Sequence, residues 1–256
     1  MKAVIFAGGF GTRLSEETQV RPKPMVEIGG KPILWHIMKI YSNHGINDFI
    51  ICLGYKGLFI KQYFKNYFLE NSDLELNFSQ KSIKHFNQNL EKWNVTLVDT
   101  GQSTMTGGRL KKLKKFLKNE REFCLTYGDG VGNIDISASI DFHRRHGKLV
   151  TMTGAFPPGR FGALEIDGSR VLSYNEKPRG DGNMVNGGFF VLSPSAIDYV
   201  DSDKTTWEKE PLERLASEGE LMLWKHHGFW QPMDTLADKN HLENLWLSNK
   251  APWKVW

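Results

Sequence analysis

The sequence predicts an α/β fold with a mixed, mostly parallel central sheet flanked by helices. Short apolar runs alternate with segments whose apolar residues recur at helical spacing, a pattern typical of sheets built from strand–helix–strand units. The first run, residues 3–7, is apolar throughout, as expected for a strand buried on both faces. A chain of 256 residues can bury a full core without disulfides or metal. We therefore expect a single domain over residues 1–256, with a split near residue 130 as the alternative.

The first half begins with the predicted strand at residues 3–7. A loop at 8–24 follows, which is rich in Gly, Pro and charged residues. A helix is expected to start at Pro32, because proline is favoured in the first helical turn and apolar residues follow at helical spacing. The further elements of this half, in chain order, are strand 49–53, helix 57–68 with Ile60, Phe64 and Phe68 on its buried face, a polar loop or lid at 79–93, strand 95–98, helix 108–117 and strand 123–127.

The second half is predicted to be richer in strands than the first. Neither a linker nor an internal repeat interrupts it. Its predicted elements, in chain order, are helix 137–146, strands 151–156, 163–166, 171–174 and 189–192, and helices 211–217 and 236–247.

The composition limits the classes of function. Hydrophobic residues make up 40% of the chain and charged residues 24%, as in globular proteins, so a disordered or low-complexity chain is excluded. The net charge of +4 permits an anionic ligand without requiring nucleic acid. No apolar run reaches the roughly 18 residues of a membrane-spanning helix. Cys52 and Cys124 lie in apolar runs, so we expect buried free thiols in a reducing, cytoplasmic compartment.

A glycine-rich loop follows the first predicted strand. Residues 8–13 read Gly-Gly-Phe-Gly-Thr-Arg, and glycines let backbone N–H groups approach an anion closely. The loop lacks the third glycine of the dinucleotide-binding motif, because Leu14 stands there, and it lacks the Gly-Lys-Ser/Thr of the P-loop. It carries its own cations instead, Arg13, Arg21 and Lys23. The loop therefore indicates a phosphate-binding site of a third kind.

Five sequence blocks resemble those of the sugar-1-phosphate nucleotidylyltransferase family. They follow in order over nearly the whole chain: residues 2–32 with Ala-Gly-Gly-x-Gly-Thr-Arg-Leu and Lys-Pro-Met-Val, Tyr-Gly-Asp-Gly at 127–130, Glu-Lys-Pro at 176–178, Asn-Gly-Gly-Phe-Phe at 186–190 and Gln-Pro-Met-Asp-Thr at 231–235. Residues 93–101 and 231–234 resemble the branch that transfers a cytidylyl group. The resemblance implies a Rossmann-like nucleotide-diphospho-sugar transferase fold. Its nucleotide-binding half would cover about 1–130 and its sugar-binding half about 131–256.

The resemblance implies an enzyme that joins α-D-glucose 1-phosphate to the α-phosphorus of CTP, giving CDP-glucose and pyrophosphate for dideoxysugar and O-antigen lipopolysaccharide biosynthesis. The attacking phosphate is already an oxyanion, since its second pKa is about 6, so we expect no general base. The site should instead supply cations, N–H donors and carboxylates for Mg²⁺. Arg13, Lys23 and Asp129 are the implied catalytic residues, and Asp129 and Asp234 the implied Mg²⁺ ligands. Asp129 also follows a predicted strand, at the edge where α/β sheets bind ligands.

The resemblance further implies two sets of substrate-binding residues. The nucleotide set is Phe6, Ala7, Gly8, Gly9, Phe10, Gly11, Thr12, Arg13, Lys23 and Gly128. The set for the sugar phosphate is Gly162, Glu176, Lys177, Asn186 and Gly187.

Arg109 is a further candidate for the nucleotide site. It lies in the first turn of a predicted helix, where a cation opposes the helix dipole at a cost of roughly 0.3–1 kcal/mol. An anion bound at the same helix end would make that placement favourable. We therefore hypothesise that Thr104 and Arg109 contact the phosphate or ribose of CTP. The alternative is a solvated arginine.

Two functional alternatives remain open at this point. The first is the same chemistry with UTP or dTTP, and the second is a non-catalytic regulatory protein that binds a nucleotide sugar. A nucleic-acid or membrane partner is not expected, although residues 109–118 are strongly basic. Leu110, Leu113 and Leu117 define one helical face of that run, which predicts that most of the lysines lie in water on the other.

The resemblance also implies a homo-oligomer, with a hexamer as one candidate. Tryptophan is enriched at protein interfaces. Four tryptophans near the end of the sequence are therefore candidates for a subunit interface: Trp230, Trp246, Trp253 and Trp256.

Overall fold

The computed structural model describes residues 1–87, 90–157, 159, 163–167, 169–175 and 184–256. Within these residues the strands are β1 Lys2–Phe6, β2 Glu27–Ile28, β3 Lys31–Pro32, β4 Asp48–Leu53, β5 Asp73–Asn77, β6 Ser82–Phe86, β7 Asn94–Asp99, β8 Phe123–Tyr127, β9 Gly130–Gly132, β10 Val150–Ala155, β11 Ala163–Asp167, β12 Arg170–Asn175, β13 Val185–Leu192, β14 Leu221–His226 and β15 Trp230–Pro232. The α-helices are α1 Ser15–Thr18, α2 Ile33–Asn43, α3 Gly57–Glu70, α4 Thr106–Lys112, α5 Lys114–Leu117, α6 Ile136–His146, α7 Glu210–Ser217 and α8 Leu236–Leu247. Short 3-10 helices cover Thr12–Leu14, Lys23–Met25 and Pro194–Tyr199.

A seven-stranded sheet forms the centre of the molecule, in the order β14-β10-β13-β8-β1-β4-β7. β1 pairs in parallel with β4 and β8, and β4 pairs in parallel with β7. β13 runs antiparallel to both of its neighbours, β8 and β10. The mixed, mostly parallel α/β fold expected from the sequence is confirmed. The carboxyl ends of β1, β4, β7 and β8 open on one edge of the sheet, which is where such sheets bind ligands.

The apolar run in β1 is explained by burial on both faces. Successive side chains of a strand point to opposite faces, so Ala3 and Ile5 join one core cluster while Val4 and Phe6 join another. The first cluster is covered mainly by α2, with side chains from α3, α6 and α8, and the second by α4, α5 and α7. The helices therefore cover the sheet from both sides.

Several helices lie where the sequence predicted them. α2 begins directly after Pro32, and α8 has the expected bounds of 236–247. The apolar positions of α2 that predicted this helix are all fully buried: Ile33, Leu34, Ile37, Met38 and Tyr41.

The prediction for the buried face of α3 is partly wrong. Ile60 is fully buried, but Phe68 is 55% exposed, and Tyr67 is buried in its place. Seven residues make almost two full helical turns, so Tyr67 lies in line with Ile60 whereas Phe68 is rotated toward solvent.

Two segments predicted as loops contain regular structure. The segment 8–24 includes α1 and a 3-10 turn. The segment 79–93 contributes β6, which pairs with β5 in an antiparallel hairpin. Strands β2, β3, β5, β9, β14 and β15 were not predicted.

The helix expected over 108–117 is divided in two at Leu113, between α4 and α5. Its three predicted core leucines are fully buried, as expected: Leu110, Leu113 and Leu117. The lysines on the other side face an acidic segment of the same chain, because Lys112 pairs with Asp203 and Lys114 with Asp198. The basic run is thus partly neutralised within the chain.

The four late tryptophans make contacts within the chain, and only Trp253 is buried while the other three are half-buried. Trp253 is fully buried and stacks on Trp246, while Trp256 packs against His36 and Trp230 donates to the Gly187 carbonyl. The interpretation of Trp253 as an interface residue is therefore wrong. Trp246, Trp253 and Trp256 instead pack around the buried ring of His36.

The two cysteines are buried free thiols, as predicted. Cys52 lies in β4 and Cys124 in β8, on either side of β1. Burial raises the pKa of each thiol to about 12. Among the described residues, no helix combines the length and the apolar character that a membrane span requires.

Candidate active site

A cleft of about 350 Å³ opens at the carboxyl edge of β1 and β8. Its lining consists of residues 6–13, 23–24, 102–106, Arg109 and 127–129. Three of these segments follow the carboxyl ends of β1, β7 and β8. All the residues predicted to contact the nucleotide are brought together in this lining, Thr104 and Arg109 among them. Their contact with a nucleotide remains a prediction.

The glycine loop forms one wall of the cleft. Gly11 has φ of 65°, a conformation that favours glycine, and its carbonyl accepts a hydrogen bond from Thr18 Oγ1 at 3.1 Å. A Cβ on Gly8 would lie 2.3 Å from Nη1 of Arg109, so a side chain there would displace the guanidinium. The loop backbone is therefore held between α1 and Arg109.

An ion cluster lies at the mouth of the glycine loop. Lys23 Nζ donates to Asp129 Oδ2 at 2.6 Å and to Asp234 Oδ1 at 2.7 Å. Arg13 Nη1 donates to Asp234 Oδ2 at 2.7 Å. Burial alone would lower the pKa of Lys23, but the charges and hydrogen bonds of the two carboxylates outweigh it, so the net shift raises the pKa. The structure thus groups the predicted catalytic and metal-binding residues around one protonated lysine.

A short strand ladder brings the two aspartates together from distant parts of the sequence. β9 begins directly after Asp129, and it pairs antiparallel with β15, which ends just before Met233 and Asp234. The ladder continues past the strands, because Met233 N donates to the Asp129 carbonyl at 2.8 Å. The backbones that carry the two carboxylates are therefore directly hydrogen-bonded to each other.

Arg109 is buried, so the alternative of a solvated arginine is wrong. The residue is 4% exposed. Nη1 donates to Leu53 O at 3.0 Å, to Thr100 Oγ1 at 2.7 Å and to Gly101 O at 2.9 Å. Nη2 donates to Gly8 O at 3.0 Å. Arg109 therefore joins the loops that follow β1, β4 and β7, in addition to lining the cleft.

The segment 102–106 forms the opposite wall. Thr104 is buried, and its hydroxyl accepts a hydrogen bond from Lys112 Nζ at 3.2 Å. Thr106 Oγ1 donates to Glu208 Oε2 at 2.6 Å, and Met105 N donates to the Asp203 carbonyl at 2.9 Å. This wall is therefore fastened to the segment that precedes α7.

The predicted sugar-phosphate residues are only partly placed. Asn186 and Gly187 lie in β13 beside the cleft, and Asn186 Nδ2 donates to the hydroxyl of Tyr127, a lining residue, at 3.3 Å. Burial, followed by the charge of Glu208, raises the pKa of Tyr127, so this hydroxyl stays protonated. Three further predicted residues lie outside the described residues: Gly162, Glu176 and Lys177.

Asp129 and Asp234 have the donor chemistry that a divalent cation requires. Mg²⁺ prefers oxygen ligands, and in nucleotide sites it is held by one or two carboxylates together with phosphate oxygens. Both carboxylates bond the same ammonium group, so they already face one cation. The part of the chain that the structure describes holds no group of three or more His, Cys, Asp or Glu able to bind a metal.

Some lining residues were missed by the sequence analysis. The missed residues are Pro24, Gln102, Ser103, Met105, Thr106 and Tyr127. Most of them follow the carboxyl end of β7 or end β8. The rule that places ligands at strand ends, applied to β7 as it was to β8, would have identified the segment 102–106.

A comparison with known protein families agrees with the fold and with the position of the cleft. The Nucleotidyl transferase family model matches residues 2–231, and the chain therefore belongs to that family. This match confirms the resemblance to sugar-1-phosphate nucleotidylyltransferases at the level of the family.

Comparison with individual proteins shows which members of this family the chain is similar to. The chain is 64% identical to glucose-1-phosphate cytidylyltransferase of Salmonella typhi over 256 residues, which is the full length of both proteins. It is 44% identical to a probable glucose-1-phosphate cytidylyltransferase of Bacillus subtilis (strain 168), again over 100% of each chain. Among solved structures, HddC from Yersinia pseudotuberculosis matches with a TM-score of 0.71 at 24% identity, covering 96% of this chain and 99% of that one. At this level of identity, the similarity to HddC shows that the two proteins share a fold.

Proposed function

We propose that the protein transfers the cytidylyl group of CTP to α-D-glucose 1-phosphate, forming CDP-glucose and pyrophosphate. Full-length identity of 64% to a glucose-1-phosphate cytidylyltransferase supports this assignment. The observation that carries it in the structure is the cluster of Lys23, Asp129 and Asp234 beside the glycine loop. The product would serve dideoxysugar and O-antigen lipopolysaccharide synthesis, as the sequence resemblance implies.

The proposed reaction brings two anions together. A phosphate oxygen of the sugar phosphate attacks the α-phosphorus of CTP, a new P–O bond forms, and the bond to the pyrophosphate oxygen breaks. The nucleophile is ionised near neutral pH, because the second phosphate pKa is about 6, so no side chain has to remove a proton. The residues must position the two phosphates and neutralise the charge that develops on the leaving group.

Arg13 and Lys23 are the cations proposed for this task. The Arg13 side chain is 71% exposed at the cleft, so it can reach the terminal phosphates of the nucleotide. Lys23 is buried and held by two carboxylates, so its ammonium has a fixed position for the reacting phosphate. A preorganised cation of this kind stabilises the transition state without reorganisation.

Asp129 and Asp234 are the residues that would hold Mg²⁺. A bound divalent ion would neutralise charge on the triphosphate and on the departing pyrophosphate. The aspartates fit this role because hard oxygen donors are the ligands that Mg²⁺ prefers.

The sugar phosphate would bind on the Asn186 side of Tyr127. Asn186 and Gly187 are held there by contacts with Tyr127 and Trp230. Gly162, Glu176 and Lys177 complete this proposed site by resemblance alone. We also propose that the nucleotide and sugar halves act as one domain, which the shared seven-stranded sheet supports.

The chain is further proposed to form a homo-oligomer, with a hexamer as one candidate. The β5–β6 hairpin supports this proposal, because it presents apolar side chains to solvent. Leu76 is 50% exposed and Ile83 is 57% exposed, although they lie directly opposite each other on one face of the hairpin.

Pyrophosphate release with glucose 1-phosphate and each of CTP, UTP, dTTP and GTP tests the activity, with Mg²⁺ and with EDTA. We expect the highest kcat/KM with CTP and loss of turnover with EDTA. Lys23→Met should lower kcat/KM by about 10²–10³-fold, the usual cost of losing a preorganised transition-state donor. Lys39→Met is the matched control, because Lys39 is also paired with a carboxylate, Glu91, but does not line the cleft.

The outcomes separate the alternatives. A preference for UTP or dTTP would overturn the choice of base but not the chemistry. No pyrophosphate release with any nucleotide would favour a non-catalytic nucleotide-sugar-binding protein.

A further inference from the structure

We propose that Asp238 is a positioning residue that fixes Asp234 for the divalent cation. Asp238 belongs to none of the sequence blocks described above, and it lies in the first turn of α8. The inference rests on the proposed function, because it acts through a proposed metal ligand.

The Asp238 carboxylate accepts four hydrogen bonds from the chain just before it. Oδ2 accepts from Asp234 N at 3.1 Å, from Thr235 N at 2.8 Å and from Thr235 Oγ1 at 2.8 Å. Oδ1 accepts from Gln231 Nε2 at 3.0 Å. Three of the four donors converge on one oxygen, Oδ2, so this atom fixes the position of the carboxylate relative to residues 234 and 235.

Part of this arrangement is an ordinary helix cap. Thr235 is the N-cap of α8, and it forms a capping box with Asp238. A capping box requires only that the side chain at the third helical position reach the N-cap N–H. Here the same carboxylate reaches one residue further back, to the N–H of Asp234. That additional contact serves the residue whose side chain bonds Lys23 and Arg13.

The backbone is thereby fixed on both sides of the Asp234 side chain. Before it, Met233 N donates to the carbonyl of Asp129. At and after it, the N–H groups of Asp234 and Thr235 donate to Asp238. Gln231, which is 3% exposed, links Asp238 to β15 and so to the strand that follows Asp129. The separation of the two carboxylates is thus set by a connected network that includes Asp238.

Groups that orient a metal ligand without touching the metal commonly change its affinity by 10–100-fold when they are removed. Asp238→Ala removes all four acceptor contacts. Asp238→Glu keeps the type of residue that a capping box uses most often, and we expect its additional methylene to move the carboxylate away from Asp234 N. Asp135→Ala is the matched control, because Asp135 caps α6 by accepting from Ala138 N at 2.9 Å and does not line the cleft.

The experiment measures the Mn²⁺ dissociation constant of the full chain saturated with CTP, by electron paramagnetic resonance of free Mn²⁺, with Mn²⁺–CTP alone as the reference. Thermal unfolding midpoints are measured on the same samples. We expect Asp238→Ala to weaken Mn²⁺ binding about 10–100-fold. Asp238→Glu should weaken it as well, with an unfolding midpoint close to that of the wild type. Asp135→Ala should lower the midpoint and leave Mn²⁺ affinity unchanged.

Wild-type Mn²⁺ affinity in Asp238→Glu would overturn the inference, since a helix cap alone would then account for Asp238. Asp129→Asn and Asp234→Asn separate this failure from failure of the proposed function. If these two variants lose Mn²⁺ affinity while both Asp238 variants keep it, the metal assignment stands and only the inference falls. If neither loses affinity, both are overturned.

Discussion

At the scale of single residues, Lys23 and Arg109 are two buried cations with opposite kinds of partner. Lys23 is paired with two carboxylates, which compensate its charge. The hydrogen bonds of Arg109 go to carbonyl and hydroxyl oxygens, which are neutral. The glycine-loop end of the cleft therefore retains a positive charge that favours an anion such as a triphosphate.

We expect Arg109→Ala to raise the KM for CTP about tenfold, which corresponds to about 1.4 kcal/mol of binding free energy. The variant removes a cation from the cleft wall and leaves the carbonyls of Gly8, Leu53 and Gly101 without this donor. Tyr55 N still bonds the Gly8 carbonyl, and Thr100 N still bonds the Leu53 carbonyl. The loss of the bonds that join the three loops should nevertheless lower the thermal unfolding midpoint. Steady-state kinetics with varied CTP and calorimetry measure the two effects.

Arg145→Ala serves as the control for Arg109, since Arg145 is an exposed arginine outside the cleft. It should leave both the KM and the unfolding midpoint unchanged. A wild-type KM for CTP in Arg109→Ala would exclude Arg109 from the nucleotide site and leave it only the task of joining the three loops.

At the scale of elements, the β5–β6 hairpin is one of the two-stranded sheets that lie outside the central sheet, and its apolar side chains are exposed. An isolated two-stranded hairpin is only marginally stable in water. The cross-strand pairs Leu74–His85 and Leu76–Ile83 lie on one face, and Phe78 in the connecting turn is 85% exposed. An apolar face of this kind is typical of surfaces that are covered by another protein.

We expect Ile83→Asp to reduce the mass of the proposed oligomer, because a charge in the centre of an apolar contact carries a desolvation cost. Light scattering coupled to size-exclusion chromatography measures the mass directly. Glu75→Ala is the control, since Glu75 pairs with Lys84 on the other face. A mass equal to that of the wild type in Ile83→Asp would show that this face is not the contact.

At the scale of the whole molecule, buried histidines link stability to pH. His36 donates from Nε2 to Ile28 O at 2.8 Å, and its Nδ1 accepts from Trp253 Nε1 at 3.4 Å, so the packed ring is neutral. Burial lowers its pKa from the usual 6.5 to about 4. His143, a residue of α6 that bonds Thr151 of β10, also has a pKa lowered to about 4, chiefly by burial and then by His146.

We expect the free energy of unfolding to fall as pH decreases from about 6.5 toward 4. In that window the unfolded chain binds protons that the folded chain excludes, so protons favour unfolding. Between pH 7.5 and pH 5, His36 alone should contribute a loss of about 2 kcal/mol. Urea unfolding at the two pH values measures this loss.

His36→Gln should make the loss between the two pH values smaller by that amount, although the variant is less stable at pH 7.5. His241→Gln, a change at an exposed histidine, should show the wild-type loss. An equal loss in His36→Gln and the wild type would contradict the assignment to His36.

Much of the fold could be predicted because its strongest signals are local. The run at β1 and the helical spacing in α2 follow from one short window each. β9 and β15 have three residues each, which is too short to show a period. These two strands form only because distant segments of the chain pair, so no local pattern predicts them.

The site residues that could be predicted are those that lie in the sequence blocks shared with the family. The blocks led to Lys23, Asp129 and Asp234, which the structure brings together. They did not reveal that Arg109 bonds three loops, because these loops meet only when β1, β4 and β7 pair. Asp238 was readable as a capping residue from its spacing to Thr235, but its contact with Asp234 depends on the tertiary turn between β15 and α8.

The positions of the two cysteines allow the opening of the central sheet to be measured. Cys52 pairs in register with Phe6, and Cys124 with Ala3, so one thiol flanks the central strand on each side. A thiol reacts as the thiolate, and both are buried with raised pKa values. Labelling by a thiol-specific reagent therefore has to wait until the strands separate. Its rate measures how often the middle of the sheet comes apart, without any introduced probe.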